Sequence, residues 1–138
     1  MRIIGLDLGS KTIGIAISDE SGVVATPVET IYYRSNQLEY GLEKLLPILK
    51  EKNIDKIVLG LPRNMDGSTG SQGEYSIAFK AMLEKATGLE VILIDERLTS
   101  MLVSKAMTSG DASREQKKGA VDKLAATVIL QTYLDQKK

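Results

Sequence analysis

Residues 2–9, Arg2-Ile3-Ile4-Gly5-Leu6-Asp7-Leu8-Gly9, read as a buried β-strand with a carboxylate inside it. A charge in such a strand is costly unless a cation or hydrogen-bond donors compensate it. Two further acids stand in comparably apolar settings. Glu96 follows Val91-Ile92-Leu93-Ile94, and Asp122 lies in a helical stretch near the C-terminus. Three separated acids in one small core point to a site for hard metal ions.

The chain around that strand reads as a mixed α/β domain. A tight connection at Gly9-Ser10-Lys11 leads to a second strand, Thr12 to Ser18, and the turn Asp19-Glu20-Ser21-Gly22 to a third, from Val23 to about Tyr33. Loops this short imply an antiparallel meander. The period then becomes helical at Leu38, Leu42, Leu45, Leu46 and Leu49, and Pro47 is expected to kink that helix. Ile57-Val58-Leu59 is a fourth strand, closed by Gly60-Leu61-Pro62. A loop from Arg63 to Ser71 precedes a helix whose apolar positions are Ile77, Ala78, Met82 and Leu83. Val91 to Ile94 is the fifth strand. A short helix is expected near Ser100 to Met107. Ser113-Arg114-Glu115-Gln116 has capping-box spacing and opens a last helix running to about Leu134. The order is βββαβαβα. Later strands joined through helices require parallel neighbours, so the sheet is mixed and covered on both faces.

Length and composition agree. The 138 residues suit one domain, 1–138, with 43% apolar and 26% charged residues, as in an ordinary globular protein. The formal net charge is zero, so binding to nucleic acid needs a local basic patch. Arg97, Lys105, Arg114, Lys117, Lys118 and Lys123 provide one, against Asp111, Glu115 and Asp122. The plainer reading of such a cluster is a solvated helical face. Cys and His are both absent, which excludes disulfides, thiol nucleophiles, zinc-thiolate and iron-sulfur sites, and any histidine base or ligand. Nothing in the sequence resembles a signal peptide and no apolar run approaches the ~20 residues of a membrane span, so cytoplasm and no membrane association are expected.

The acids share a geometric logic. Alternation along the first strand puts Asp7 on the face of Ile3 and Gly5. At 100° per residue, Ile129 and Tyr133 fall about 20° to either side of Asp122, and Ala126 about 40° away, so Asp122 is on the sheet-facing stripe. Its plainer partner is Lys118, four residues earlier. Asp95 and Glu96 point to opposite faces, and local pattern does not choose between them; a capping role is the alternative for Asp95. Oxygen donors suit Mg²⁺ or Mn²⁺, and two such ions about 4 Å apart can activate water and stabilise the leaving oxygen of a phosphodiester without histidine. Two loops could assist: Gly9-Ser10-Lys11-Thr12, otherwise an ordinary hairpin turn, and Asn64 to Ser71 beyond the fourth strand.

Four segments together resemble the YqgF/RuvX family, a bacterial branch of the RNase H-like fold whose members are described as Holliday-junction-resolvase-like proteins or 16S rRNA precursor nucleases. They are GLDLGSKTIGIAIS at 5–18, GLPRNMDGSTGSQ at 60–72, DERLTS at 95–100 and KKGAVDKLAATVILQTYL at 117–134. The resemblance implies an RNase H-like three-layer fold with strand order 3-2-1-4-5. It gives catalytic and metal-binding roles to Asp7, Glu96 and Asp122, thereby favouring Glu96 over Asp95. It also implies substrate contacts at Lys11, Arg97, Thr99 and the 63–71 loop, including Arg63, while Arg114, Lys117 and Lys118 would meet the nucleic acid backbone.

The resulting expectation is an endonuclease dependent on Mg²⁺ or Mn²⁺, acting on structured RNA in 16S rRNA maturation, with pre-ribosomal particles as partners, as a monomer or homodimer. Branched DNA is the competing substrate. A non-catalytic RNA- or ribosome-binding module is the alternative of another class. An actin-like phosphotransferase fits less well, because the chain is too short for the usual paired domains.

Overall fold

A computed structural model describes residues 2–9, 11–34, 37–62, 70–96 and 114–136, with side chains of 114–122 excepted. Its strands are β1 (Ile3–Leu8), β2 (Thr12–Ser18), β3 (Ala25–Tyr32), β4 (Lys56–Leu61) and β5 (Val91–Asp95). The helices among the described residues are α1 (Leu38–Glu51), α2 (Ser71–Thr87) and α3 (Arg114–Gln136). The strands form one mixed sheet ordered β3-β2-β1-β4-β5, the RNase H-like order that the resemblance implied. β1–β2 and β2–β3 are antiparallel; β1–β4 and β4–β5 are parallel. The parallel pairs follow from the helical crossovers, whose length a hairpin cannot supply.

Each central strand divides its side chains between two cores. Ile4, Leu6 and Leu8 of β1, Ile57 and Leu59 of β4, and Val91 of β5 join the cluster containing Leu45, Leu49, Phe79 and Leu83, on the side of α1 and α2. Ile3, Ala16, Val58 and Ile94 join Ala126, Ile129, Leu130, Tyr133 and Leu134 of α3 on the other side. The period of two along the strands makes this division, and burial on both faces explains why they read as nearly continuous apolar runs.

Several boundaries differ from the sequence reading. β3 starts at Ala25, because Val23 and Val24 belong to the turn built on Asp19 and are 42% and 54% exposed. The Asp19 carboxylate accepts from the backbone N–H groups of Val23 and Val24 at 2.8 and 3.0 Å, and from the Ser21 hydroxyl. Gly22 takes a positive φ of 73° there. α1 continues as one helix through Pro47. α2 buries Gly73, Ser76, Phe79 and Leu83, whereas Ile77 is exposed, because at 100° per residue it falls roughly 100° from the centre of that buried stripe. α3 continues to Gln136. The expected short helix at 100–107 and the capping residue Ser113 lie outside the described residues.

α3 lies close against the sheet because β1 lacks a side chain beneath it. A Cβ on Gly5 would stand 2.6 Å from Leu130 Cβ and 2.9 Å from the Ala126 carbonyl oxygen. At the far end of the helix, Lys56 Nζ donates to the Tyr133 hydroxyl at 3.3 Å and pairs with Glu90 at 3.3 Å. Tyr133 therefore stands by the start of β4 and Ile129 by its end, so α3 runs antiparallel to β1 and β4.

Candidate active site

The site begins at the C-terminal end of β1. Ile4, Leu6 and Leu8 occupy the α1/α2 side, and Gly5 lies under α3, so alternation turns Asp7 toward α3. Asp7 is half-buried between fully buried Leu6 and nearly buried Leu8. Across β2 its partner is Gly14. On the β4 side Leu6 pairs with Leu59, and the next step of that parallel register sets Asp7 level with Gly60. A glycine thus flanks Asp7 on each neighbouring strand.

Gly60 is where a second acid enters. A Cβ there would stand 2.6 Å from Ile129 Cδ1 and 2.9 Å from Glu96 Cδ, so the Glu96 carboxylate fills the space above this glycine on the α3 side. Neighbouring strands lie about 4.8 Å apart, which brings that carboxylate within reach of Asp7. Glycine inside a strand commonly marks such a close approach. Asp95 goes the other way. Val91 and Leu93 pack toward α1 and α2 while Ile92 and Ile94 pack toward α3, so Asp95 continues the first set. The choice that local pattern left open is made by strand parity and by the turn carrying Glu96 just past β5. Asp7, Asp95 and Glu96 all take part in polar or charge interactions, so none is a free side chain.

Position 122 belongs to α3, one turn before Ala126, whose carbonyl oxygen lies over Gly5. One turn is about 6 Å, directed toward the end of β1 at which Asp7 stands. The Asp122 side chain lies outside the described ones, as do those of Arg114, Lys117 and Lys118 on the same helix. Arg63, Arg97 and Thr99 lie outside the described residues altogether. Lys11 is described and exposed, in the bend after β1. Among the described residues no group of three acids is close enough to hold a metal ion.

A set of hydrogen bonds that sequence reading missed fastens the loop beyond Asp7. The Tyr33 hydroxyl donates to the Gly9 carbonyl at 2.5 Å and stands 3.2 Å from the Tyr75 hydroxyl. Gln72 Nε2 donates to the Leu8 carbonyl at 3.2 Å. Tyr33 N–H donates to the Lys11 carbonyl, and Gly9 N–H to the Thr12 carbonyl. Burial, reinforced by Tyr75, pushes the Tyr33 phenol well above the ordinary tyrosine range, so it remains a neutral donor. The only local signal was a tyrosine at a strand end; its partners arrive from the β1–β2 connection and from α2 through long-range packing.

The RuvX family model, described as Holliday junction resolvase, matches residues 1–136. The chain belongs to the RuvX family. A Bacillus subtilis (strain 168) relative named "Putative pre-16S rRNA nuclease" is 49% identical over 135 residues, covering 98% of both chains. A Geobacillus relative of the same name is 47% identical over 138 residues and 100% of each chain. The RuvX-family fold is shared with more distant solved structures. T. thermophilus RuvC, solved in complex with a Holliday junction substrate, superposes with a TM-score of 0.61 at 13% identity, over 100% of this chain and 97% of that one. The fowlpox virus resolvase, solved with Holliday junction DNA, gives 0.61 at 16% identity over 99% of each. No described helix of this RuvX-family chain is long and apolar enough to cross a membrane.

Proposed function

We propose that this protein is a divalent-metal-dependent endonuclease that cuts structured RNA, with the 16S rRNA precursor as its substrate. One observation carries the reading: the Glu96 carboxylate lies over Gly60, on the sheet face of Asp7 and one strand away. Two acids turned to one face of the sheet, one strand apart, favour a cation beside them. Membership in the RuvX family and the names of the relatives support phosphodiester hydrolysis as the chemistry. The register of α3 supports Asp122 as the third member.

The donors are carboxylate oxygens, which fit Mg²⁺ or Mn²⁺. Asp7, Glu96 and Asp122 would hold the metal, as a pair of ions. When bound, such ions polarise the phosphodiester and lower the pKa of coordinated water. The chain's own residues do the rest. Asp7, on the central strand, contributes a carboxylate whose position the sheet makes rigid. Glu96, just past β5, holds a metal ion or orients the attacking water as a base. Lys11, Arg63, Arg97, Thr99, Arg114, Lys117 and Lys118 contact phosphates and set the register of the strand without reading its sequence. The whole chain acts as one domain in the cytoplasm, where precursor rRNA and pre-ribosomal particles are found. RNA is preferred over branched DNA on the name that the relatives carry, "Putative pre-16S rRNA nuclease"; a junction has two-fold character and would call for a symmetric dimer.

The test is side-by-side cleavage of a precursor rRNA fragment and a four-way DNA junction, with Mg²⁺ or Mn²⁺. Wild type should cut the RNA, and Asp7→Asn should reduce cutting by at least a hundredfold. Undiminished cutting by Asp7→Asn would sink the site. Cleavage of the junction alone would make the protein a resolvase, and binding without cleavage a non-catalytic module.

A further inference from the structure

The end of the sheet that carries Asp7 also carries a second feature, on the opposite side of the β1–β2 connection. Tyr33, Arg34, Tyr40 and Lys44 line a cavity of about 340 Å³ between the end of β3 and the first turns of α1. Its volume is near the lower end of small-ligand pockets, roughly 300–1,000 Å³. Tyr40 and Lys44 are one helical turn apart and share a face of α1. Tyr40 is 55% exposed, so its ring is open to a ligand. Lys44 Nζ donates to the Tyr32 carbonyl at 2.6 Å, which holds the ammonium at the rim and leaves two N–H donors for another acceptor. The floor is the buried Tyr33 ring, which also contacts α1 at Gly41.

An exposed ring lining one cavity with two cations is a combination that binds single-stranded nucleic acid: a base stacks on the ring and its phosphate meets the charges. The cavity is joined to the candidate active site. Tyr33 N–H donates to the Lys11 carbonyl at 2.9 Å, and the Tyr33 hydroxyl donates to the Gly9 carbonyl. β3 is two strands from β1, a lateral offset of roughly 10 Å at the same end of the sheet, and α1 covers the face opposite to that of Asp7, so the path crosses the end of the sheet. A strand held at Asp7 can therefore pass over Lys11 and reach α1. We propose that Tyr40, Arg34 and Lys44 form a subsite for one unpaired nucleotide of the RNA, its base on the Tyr40 ring and its phosphate between Arg34 and Lys44. The subsite takes its ligand from the nuclease reading above, and it directs the enzyme to RNA with an unpaired flank beside the scissile bond.

The test uses the full chain in an Asp7→Asn background, so that bound RNA stays intact, with a single-stranded RNA oligonucleotide and a blunt RNA duplex of equal length as probes. Tyr40→Ala should weaken single-strand binding about five- to a hundredfold, the range of lost base–aromatic stacking. Tyr40→Phe should bind like the parent. The duplex, whose bases cannot reach the ring, should be indifferent to both changes. Arg34→Ala combined with Lys44→Ala should lower the slope of log affinity against log salt by about 0.7, one phosphate's worth for a single strand, while Tyr40→Ala leaves that slope unchanged. Single-strand affinity within twofold of the parent in Tyr40→Ala, or equal losses on single strand and duplex, would overturn the subsite. Neither result bears on the nuclease reading, which stands or falls on cleavage by Asp7→Asn compared with wild type.

Discussion

Glu96 occupies the space that a side chain on Gly60 would need, and Ile129 of α3 shares that space. One glycine on β4 thus lets an acid from the end of β5 reach the face on which Asp7 stands. The Ile129 methyl would be 2.6 Å from an added Cβ, so both side chains would have to turn aside to admit one.

Gly60→Ala should therefore do two things. It should displace the Glu96 carboxylate, lowering nuclease activity at least tenfold, and it should crowd the α3 face at the low end of overpacking, about 1 kcal/mol, because the Ile129 and Glu96 side-chain ends can turn aside. Cleavage rates and chemical denaturation measure the two effects separately. A variant as stable and as active as wild type would contradict the packing described above.

Strand parity separates the neighbouring acids. Glu96→Gln should abolish most cleavage, whereas Asp95→Asn, on the opposite side of β5, should retain activity within a few-fold of wild type. The comparison is made at saturating Mg²⁺ and repeated as a metal titration. Greater loss in Asp95→Asn would reverse the assignment of the two residues.

Tyr33→Phe removes the donor to the Gly9 carbonyl and should cost about 0.5–1.5 kcal/mol. It should also alter stability at high pH. The folded phenol is raised above the ordinary value of 10.0, so the unfolded chain gives up this proton first. The contribution is complete below about pH 10 and is lost as pH rises from there toward the folded value. Melting temperatures between pH 8 and 11 should fall less steeply in Tyr33→Phe than in wild type.

Acid acts through Asp19. The Ser21 hydroxyl, then the backbone N–H groups of Val24 and Val23, hold its carboxyl well below the usual carboxylate range. A depressed folded value contributes stability that is present above the unfolded pKa, about 3.9, and lost as pH falls through the folded one. Asp19→Asn should flatten the decline of melting temperature below pH 4, and a decline as steep as wild type's would remove Asp19 as a cause.

Much of the architecture was legible because it depends on local periodicity. The two-residue alternation of β1, the short connections to β2 and β3, and the helical spacing of Leu38, Leu42, Leu45 and Leu49 were enough for a mixed sheet covered on both faces. Errors came where packing overrides pattern. Ile77 was read as core from hydrophobicity, but α2 is turned so that Gly73, Ser76 and Phe79 face the sheet. Val23 and Val24 looked like strand, but the Asp19 carboxylate claims their N–H groups for a turn.

By itself the sequence determined that acids interrupt apolar strands, that no histidine or cysteine is at hand, and that the elements alternate as in an α/β sheet. These properties are carried by residue type and spacing, which survive without coordinates. Only the tertiary structure decided that Gly60 stands level with Asp7, that Glu96 rather than Asp95 turns toward α3, and that Tyr33, Gln72 and Tyr75 fasten the loop after β1. Each of those relations joins segments far apart in the chain, so it exists only once strand register and helix packing are set, and no local pattern encodes it.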